Sequence, residues 1–461
     1  MIRISQPDFH ENPMMGLLGP SVSFEVSEAP DAAFGADAVD MANTLIGEWK
    51  DPDMPIPGIL EPEGRSRALL GWVYRACEDA DWPVFQTGTF EPAGESDLDG
   101  RYFLPSRLAP PLLPFRLFRL LLNALLTDAR DWDKVTFEGD LSRLIGLLKQ
   151  NGLAGNNQRW VLHQISRRGH SLNEIKDGTF QIGHGPRARF VRGTVDGQAS
   201  QLLTEIQTDK TATSRLLGLH GIPTVEHIRV ETDAQAIEAA EVLGYPVVLK
   251  PHNLSMGRGV IADIRSAAQL QKALDVRGFD IKQGLIEKYV PGDMARIAIF
   301  KNQIVEVRVT ELSHVTGDGV STFEALTRAY AEAEEDQGNT SLKLKTAYDS
   351  LLARMALIGT LEKHDIQLGS IIEAGRKIQI LDHPTRRRGS RVQWLTGEAL
   401  CEPYLKLAHR IQTLFGGAPL GIDLLAFNNE HPEQTVVGEV NFGPGLDFEH
   451  VRDRFLDVFE L

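Results

Sequence analysis

Cysteine is nearly missing from this chain: Cys77 and Cys401 are the only two in 461 residues. That excludes a disulfide framework and a cysteine-based zinc site, and makes a reducing cytoplasm the expected compartment. Positive charge is also short, with 48 Lys and Arg against 63 Asp and Glu and a net charge of −15. Nucleic-acid backbones are held by clustered Lys and Arg, so no nucleic-acid partner is expected. No apolar run is long enough to span a bilayer. The most apolar window, 108–126, is broken by three prolines and by Arg116 and Arg119. Beyond Pro114 it reads as an amphipathic core helix, and no membrane partner is expected. The start of the chain lacks a charged stretch followed by an apolar one, so no signal peptide is expected. Internal repeats and low-complexity tracts are lacking too. What is present is ordinary globular composition, 42% hydrophobic and 24% charged. The length exceeds what one core fills, and two or three domains follow.

Residues 1–155 carry no catalytic motif and read as a separate N-terminal α/β domain, a scaffold or an oligomerisation element, with acceptor-substrate binding as the alternative. From residue 156 the pattern changes to short strands alternating with helices. Helices are expected at 160–168, 202–220, 233–243 and 266–274. Strands are expected at 245–251, 284–290, 295–300 and 303–309, and the fold class is α+β.

The most informative segment is Gly438-Glu439-Val440-Asn441-Phe442-Gly443. Side chains alternate along a strand, so Glu439 and Asn441 share a face. Sixteen residues before Glu439, Asp423 sits alone in the apolar run Gly421 to Leu425. Two strands joined by the polar turn 428–434 would form a hairpin that gathers Asp423, Glu439 and Asn441. Three hard oxygen donors suit Mg²⁺, with Mn²⁺ able to substitute.

Lys250 ends a buried strand, where a lone ammonium costs desolvation unless an anion meets it. The loop after it holds Ser255, Gly257 and Gly259, whose backbone N–H groups suit phosphate oxygens. The loop joins strand to strand and lacks the P-loop pattern; an ordinary hairpin turn is the bland alternative. Ile286 to Val290, with Glu287 and Tyr289, reads as a hinge that meets an adenine, with Asp293 near ribose hydroxyls. Gly317-Asp318-Gly319 is a tight turn before a helix whose start, Ser321 to Glu324, reads as a capping box. His314, before that turn, is either a substrate contact or a hydrogen-bonded structural histidine. Arg386, Arg387 and Arg388 form a basic run; such runs are ordinarily solvated, but beside a phosphate site guanidinium groups grip phosphoryl or carboxylate groups bidentately.

In order, these segments resemble the ATP-grasp superfamily of carboxylate–amine ligases, in particular the ATP-grasp half of the cyanophycin synthetases, with bifunctional glutathione synthetases next. The likeness extends from about residue 155 and includes Thr208-Asp209-Lys210-Thr211, Val248-Leu249-Lys250-Pro251, His314 to Thr322, Gly421-Ile422-Asp423 and Glu439 to Gly445. It implies two α/β subdomains clasping ATP, the ligase domain being 156–461. Lys210 and Lys250 would contact phosphates, Ser255 to Gly259 would form the mobile loop, and Glu287, Tyr289 and Asp293 would line the adenine and ribose pocket. Asp423, Glu439 and Asn441 would hold Mg²⁺, and Arg308 would reach a γ-phosphate or acyl-phosphate oxygen. The implied reaction joins an amino-acid or peptide carboxylate to an amine through an acyl phosphate, in a homodimer or tetramer. A small-molecule kinase and a nucleotide-binding assembly protein are the alternatives. Cyanophycin synthetases continue into a Mur-ligase-like module, whereas this sequence stops shortly after Gly445, so a complete polymer synthetase is not expected. The segment 383–390 also departs from the family's small, polar pattern.

Overall fold

The computed structural model describes every residue except 1, 12–14, 16, 18, 30–35, 47–63, 84–85, 108–109, 128–130, 132, 154–155, 177, 198, 253–257, 334–347, 385–389, 444 and 446–461. Helices and antiparallel sheets alternate through it, as the α+β expectation requires. The chain divides into two compact units, the first running to Gly197 and the second from Gln198 to Pro444. Among the described residues no helix is long and apolar enough to cross a membrane.

The division at 197/198 follows from packing. In the first unit, strand Ser21–Ser27 pairs with Gly100–Pro105, and helices Arg65–Asp79 and Leu113–Leu125 close one core over them. The window after Pro114 is therefore the core helix its pattern implied. Residues 156–197 add the helix Asn156–Arg167 and a meander of four short strands from Leu172 to Asp196. They belong here because Glu174 forms a buried ion pair with Arg107 (2.5 Å), and Arg159 pairs with Asp81 (2.8 Å). A polar bond between residues 67 apart in sequence leaves no trace in local periodicity.

Among its described residues the second unit holds two larger sheets and a two-stranded one, His314–Thr316 with Lys377–Gln379. One of the larger sheets, in the order His227–Val230, Gly284–Lys288, Val247–Pro251, Ile261–Ile264, buries one face under helices Asp233–Leu243 and Ala267–Asp275. The other runs Val392–Leu395, Gln303–Thr310, Met294–Phe300, Leu420–Leu425, Val436–Phe442 and is antiparallel throughout. Its side chains alternate between two faces, with register shifts at Ala298/Ile299 and at Asp423/Leu424. Ala295, Ile297, Val307, Val309, Ile422, Leu424 and Val440 build the core with Tyr404, Ala408 and Ile411 of helix Glu402–Leu414. The other face carries the charged residues Arg296, Arg308, Asp423 and Glu439.

Two local expectations are corrected. The single helix at 202–220 is two, Gln201–Thr208 and Lys210–Leu219. Asp209 adopts an extended conformation between them, and its carboxylate accepts from Thr211 N (2.8 Å) and Ala212 N (3.1 Å). Asp competes for backbone donors in this way and so starts helices better than it continues them. The helix Phe323–Ala333 is capped one residue later than expected, by Thr322 Oγ1 accepting from Ala325 N. Ser321 is instead drawn into the turn by Asp318, which accepts from its N–H (2.7 Å) and hydroxyl (2.6 Å).

A buried knot ties the first of these sheets to the segment after it. Asp382 is fully buried, accepts from Ala262 N (2.8 Å) and Arg354 Nε (2.8 Å), and lies 3.1 Å from His383 Nδ1. Burial alone would raise its pKa, but His383 and Arg354 outweigh it and hold the carboxyl well below the usual range. A depressed folded pKa stabilises the fold above the unfolded value, near pH 4, and that stability is lost as pH falls toward the folded one. Asp382→Asn should lower stability at pH 7 by about 3–5 kcal/mol, since Arg354 is left with an uncompensated buried charge. The gap to wild type should narrow below about pH 4. Urea unfolding curves of both proteins at pH 7 and pH 3 would check both statements.

Candidate functional site

The hairpin inferred from Asp423 and Glu439 exists, with Asp423 and Glu439 direct cross-strand partners and Asn441 opposite Gly421. A bulge refines the pattern. Asp423 pairs with Glu439 but Leu424 pairs with Val437, so Gly438 is the extra residue. A Cβ there would come within 2.9 Å of the Leu425 side chain. Strict alternation would put residues 437 and 439 on one face; the bulge lets Val437 join the core, 2% exposed, while Glu439 keeps the charged side.

Charged and aromatic residues line up across all five strands. The successive Cα partners are Trp394, Arg308, Arg296, Asp423 and Glu439. Both oxygens of Asp423 are held by Arg296, Nε at 2.7 Å and Nη2 at 2.6 Å. The Asp423 field pushes the already high guanidinium pKa further up; burial opposes this, and Glu439 and Glu306 add to it. Arg308 lies over the Trp394 ring, 5.8 Å from its centroid, and 3.5 Å from buried Glu306.

Lys210 joins this row to the neighbouring sheet. As the first residue of its helix, it extends Nζ to Glu439 (3.0 Å) and to the carbonyl of His252 (3.3 Å), two residues past Lys250. Lys250 meets the buried carboxylate of Glu287 at 2.5 Å. Both lysines thus find carboxylates, the anions that buried ammonium groups require. Gly259 has φ +72°, and a Cβ would meet Phe279 at 3.0 Å and Pro251 at 3.1 Å, so glycine is required on both counts.

Other expected site residues sit apart from this cluster. Tyr289 is buried against Val248 and Ala262, its hydroxyl accepting from Gln379 (3.4 Å), and burial raises its pKa. Asp293 accepts from Leu312 N (2.8 Å). His314 Nδ1 is 3.1 Å from Leu312 O and lines an open cavity of about 340 Å³ with Glu311, Tyr330 and Arg391. That cavity shares no lining residue with the small one formed by Lys210, Gln207 and Glu439. Ser255, Gly257, Arg386, Arg387 and Arg388 lie outside the described residues.

Arg296 was missed by sequence reasoning, and so was the role of Asp209 in presenting Lys210. A lone arginine inside the apolar strand Met294–Phe300 was the available signal for the first. Among the described residues no three His, Cys, Asp or Glu side chains form a metal cluster. The donor set is two carboxylates and one amide, hard oxygens that fit a divalent cation such as Mg²⁺.

Residues 201–283 match the ATP-grasp domain family. Cyanophycin synthetase from Geminocystis herdmanii is 26% identical over 338 residues, covering 71% of this chain and 37% of that protein. The glutathione biosynthesis bifunctional protein GshAB of Streptococcus mutans is 22% identical over 280 residues, covering 59% and 36%. The D-alanine–D-alanine ligase of Pseudomonas fluorescens is 29% identical over 148 residues, covering 29% of this chain and 44% of that one. The chain thus spans little more than a third of the cyanophycin synthetases it matches. A bifunctional glutathione synthetase structure from Pasteurella multocida aligns with TM-score 0.42 and 19% identity, over 75% of this chain and 51% of that one.

Replacing Asp209 with Ala should destabilise the second unit by about 1 kcal/mol through the lost cap. It should also loosen Lys210, slowing the reaction of its amine with an acylating reagent less in the variant than in wild type. Thermal melting and mass-spectrometric lysine labelling would read the two effects separately.

Proposed function

We propose that the chain is an ATP-dependent carboxylate–amine ligase. The observation that carries this reading is the row of Arg308, Arg296, Asp423 and Glu439 on one sheet face, tied by Lys210 to the strand bearing Lys250. The ATP-grasp match and the three ligase-type relatives support it.

In this reading Lys210, Lys250 and Arg308 neutralise the phosphates and orient them, which is most of what phosphoryl transfer asks of a protein. Asp423, Glu439 and Asn441 would hold Mg²⁺. When bound, the cation supplies charge neutralisation between the phosphate oxygens. A substrate carboxylate oxygen attacks the γ-phosphorus and ADP leaves. The amine then attacks the acyl carbon, phosphate leaves, and the nitrogen loses a proton to give the amide. No protein nucleophile is needed in this reading. Closure of the loop that contains Gly259 would keep water from the acyl phosphate.

The donor and acceptor are proposed as small amino acids or peptides. Screening paired amino acids and short peptides for ADP release, with mass measurement of the product, tests the reading. An amide product with ADP dependent on the amine supports it; ADP formed without any amine, with a phosphorylated product, replaces it with a kinase. Glu439→Gln should reduce turnover by at least about a thousandfold, roughly 4 kcal/mol of transition-state stabilisation. Wild-type turnover in that variant would refute the cation assignment.

A further inference from the structure

We infer that Arg296 is a positioning residue that holds the divalent-cation position shut until a polyphosphate arrives. This rests on the nucleotide reading above and adds an order of events to it. Both oxygens of Asp423 are engaged in this state: Nε and Nη2 of Arg296 donate to one each, at 2.7 and 2.6 Å. Glu439 is likewise met by Lys210 at 3.0 Å. Both carboxylates expected to hold a cation are therefore already neutralised by the protein's own cations.

Charge balance makes the arrangement selective. On this face Arg296, Arg308 and Lys210 oppose Asp423, Glu439 and Glu306, three charges of each sign. A bare divalent cation must displace a guanidinium from a bidentate pair and leaves two positive charges uncompensated in a half-buried site. A triphosphate brings several negative charges and oxygens arranged for the same planar fork. Arg296 can then pass from Asp423 to a phosphate oxygen, and the released carboxylate becomes available to the cation on the same face. No covalent change is needed; the exchange is one ion pair for two.

The side chain is built for this exchange. Arg296 is flanked in its row by Arg308 on one side and Asp423 on the other, so its fork always has a like charge behind it and an anion ahead. Lysine in its place would keep the charge but lose the two-pronged grip.

The test measures Mn²⁺ binding to the nucleotide-free full chain by electron paramagnetic resonance, without reference to activity. Wild type should bind Mn²⁺ alone at least tenfold more weakly than Arg296→Met, with Arg296→Lys in between. Addition of a non-hydrolysable ATP analogue should tighten Mn²⁺ binding at least tenfold in wild type and less than threefold in Arg296→Met. Equal Mn²⁺ affinity in wild type and Arg296→Lys, or no effect of the analogue on wild type, would overturn the inference. The wild-type measurement and the lysine variant keep the test decisive if Arg296→Met does not fold. Asp423→Asn separates the two layers: it should abolish the tight Mn²⁺ binding of every background. If Asp423→Asn leaves that binding intact, the cation assignment itself fails; if it removes binding but Arg296 variants change nothing, only the gating role fails.

Discussion

The bidentate pairing of Arg296 with Asp423 is the constraint on which the rest of the second unit turns. It joins adjacent strands through side chains that face away from the core, in a row where every neighbour is charged or aromatic. A sheet face of this kind cannot be held together by apolar burial, because its own residues would be too costly to cover. It survives by internal neutralisation, guanidinium to carboxylate and ammonium to carboxylate. The opposite face supplies the stability, through Ile297, Val307, Ile422 and Val440 against the helix Glu402–Leu414. Division of labour between the two faces follows from the strand period alone.

Much of this was legible in the sequence. Asp423 stood out because a carboxylate in an apolar run has to meet something, and the spacing to Glu439 left a hairpin as the simplest route. Lys250, at the end of an apolar strand, was legible for the same reason, while Lys210 entered through the family resemblance. Arg296 was not, because its partner lies 127 residues away and nothing local names it. The break at Asp209 was hidden because no glycine or proline marks it; an aspartate able to cap was read as one more helical position. The packing of residues 156–197 into the first unit was hidden because Arg107 and Glu174, which secure the meander there, meet only in three dimensions.

The residues expected around an adenine separate by chemistry. Glu287 is committed to Lys250, Tyr289 to a small apolar cluster, and Asp293 to the backbone of Leu312. For Glu287 and Asp293 the partner satisfies a buried charge or a backbone donor, whereas Tyr289 is placed by apolar packing. The segment that carries Tyr289 still runs from the end of a strand whose backbone groups are well ordered by pairing with Val247 and Val248.

The extra residue at Gly438 has a further consequence for how this hairpin can vary. A strand that passes straight into its turn transmits every insertion or deletion to the side chains beyond it, inverting which of them meet solvent. Here the phase is reset between the connecting loop and the acidic residue. The loop between Leu425 and Val436 is itself fixed, the Tyr404 hydroxyl meeting Thr435 Oγ1 (2.6 Å) and Asn429 Oδ1 accepting from Cys401 N (2.9 Å), so this corner tolerates only changes that keep both bonds and the bulge.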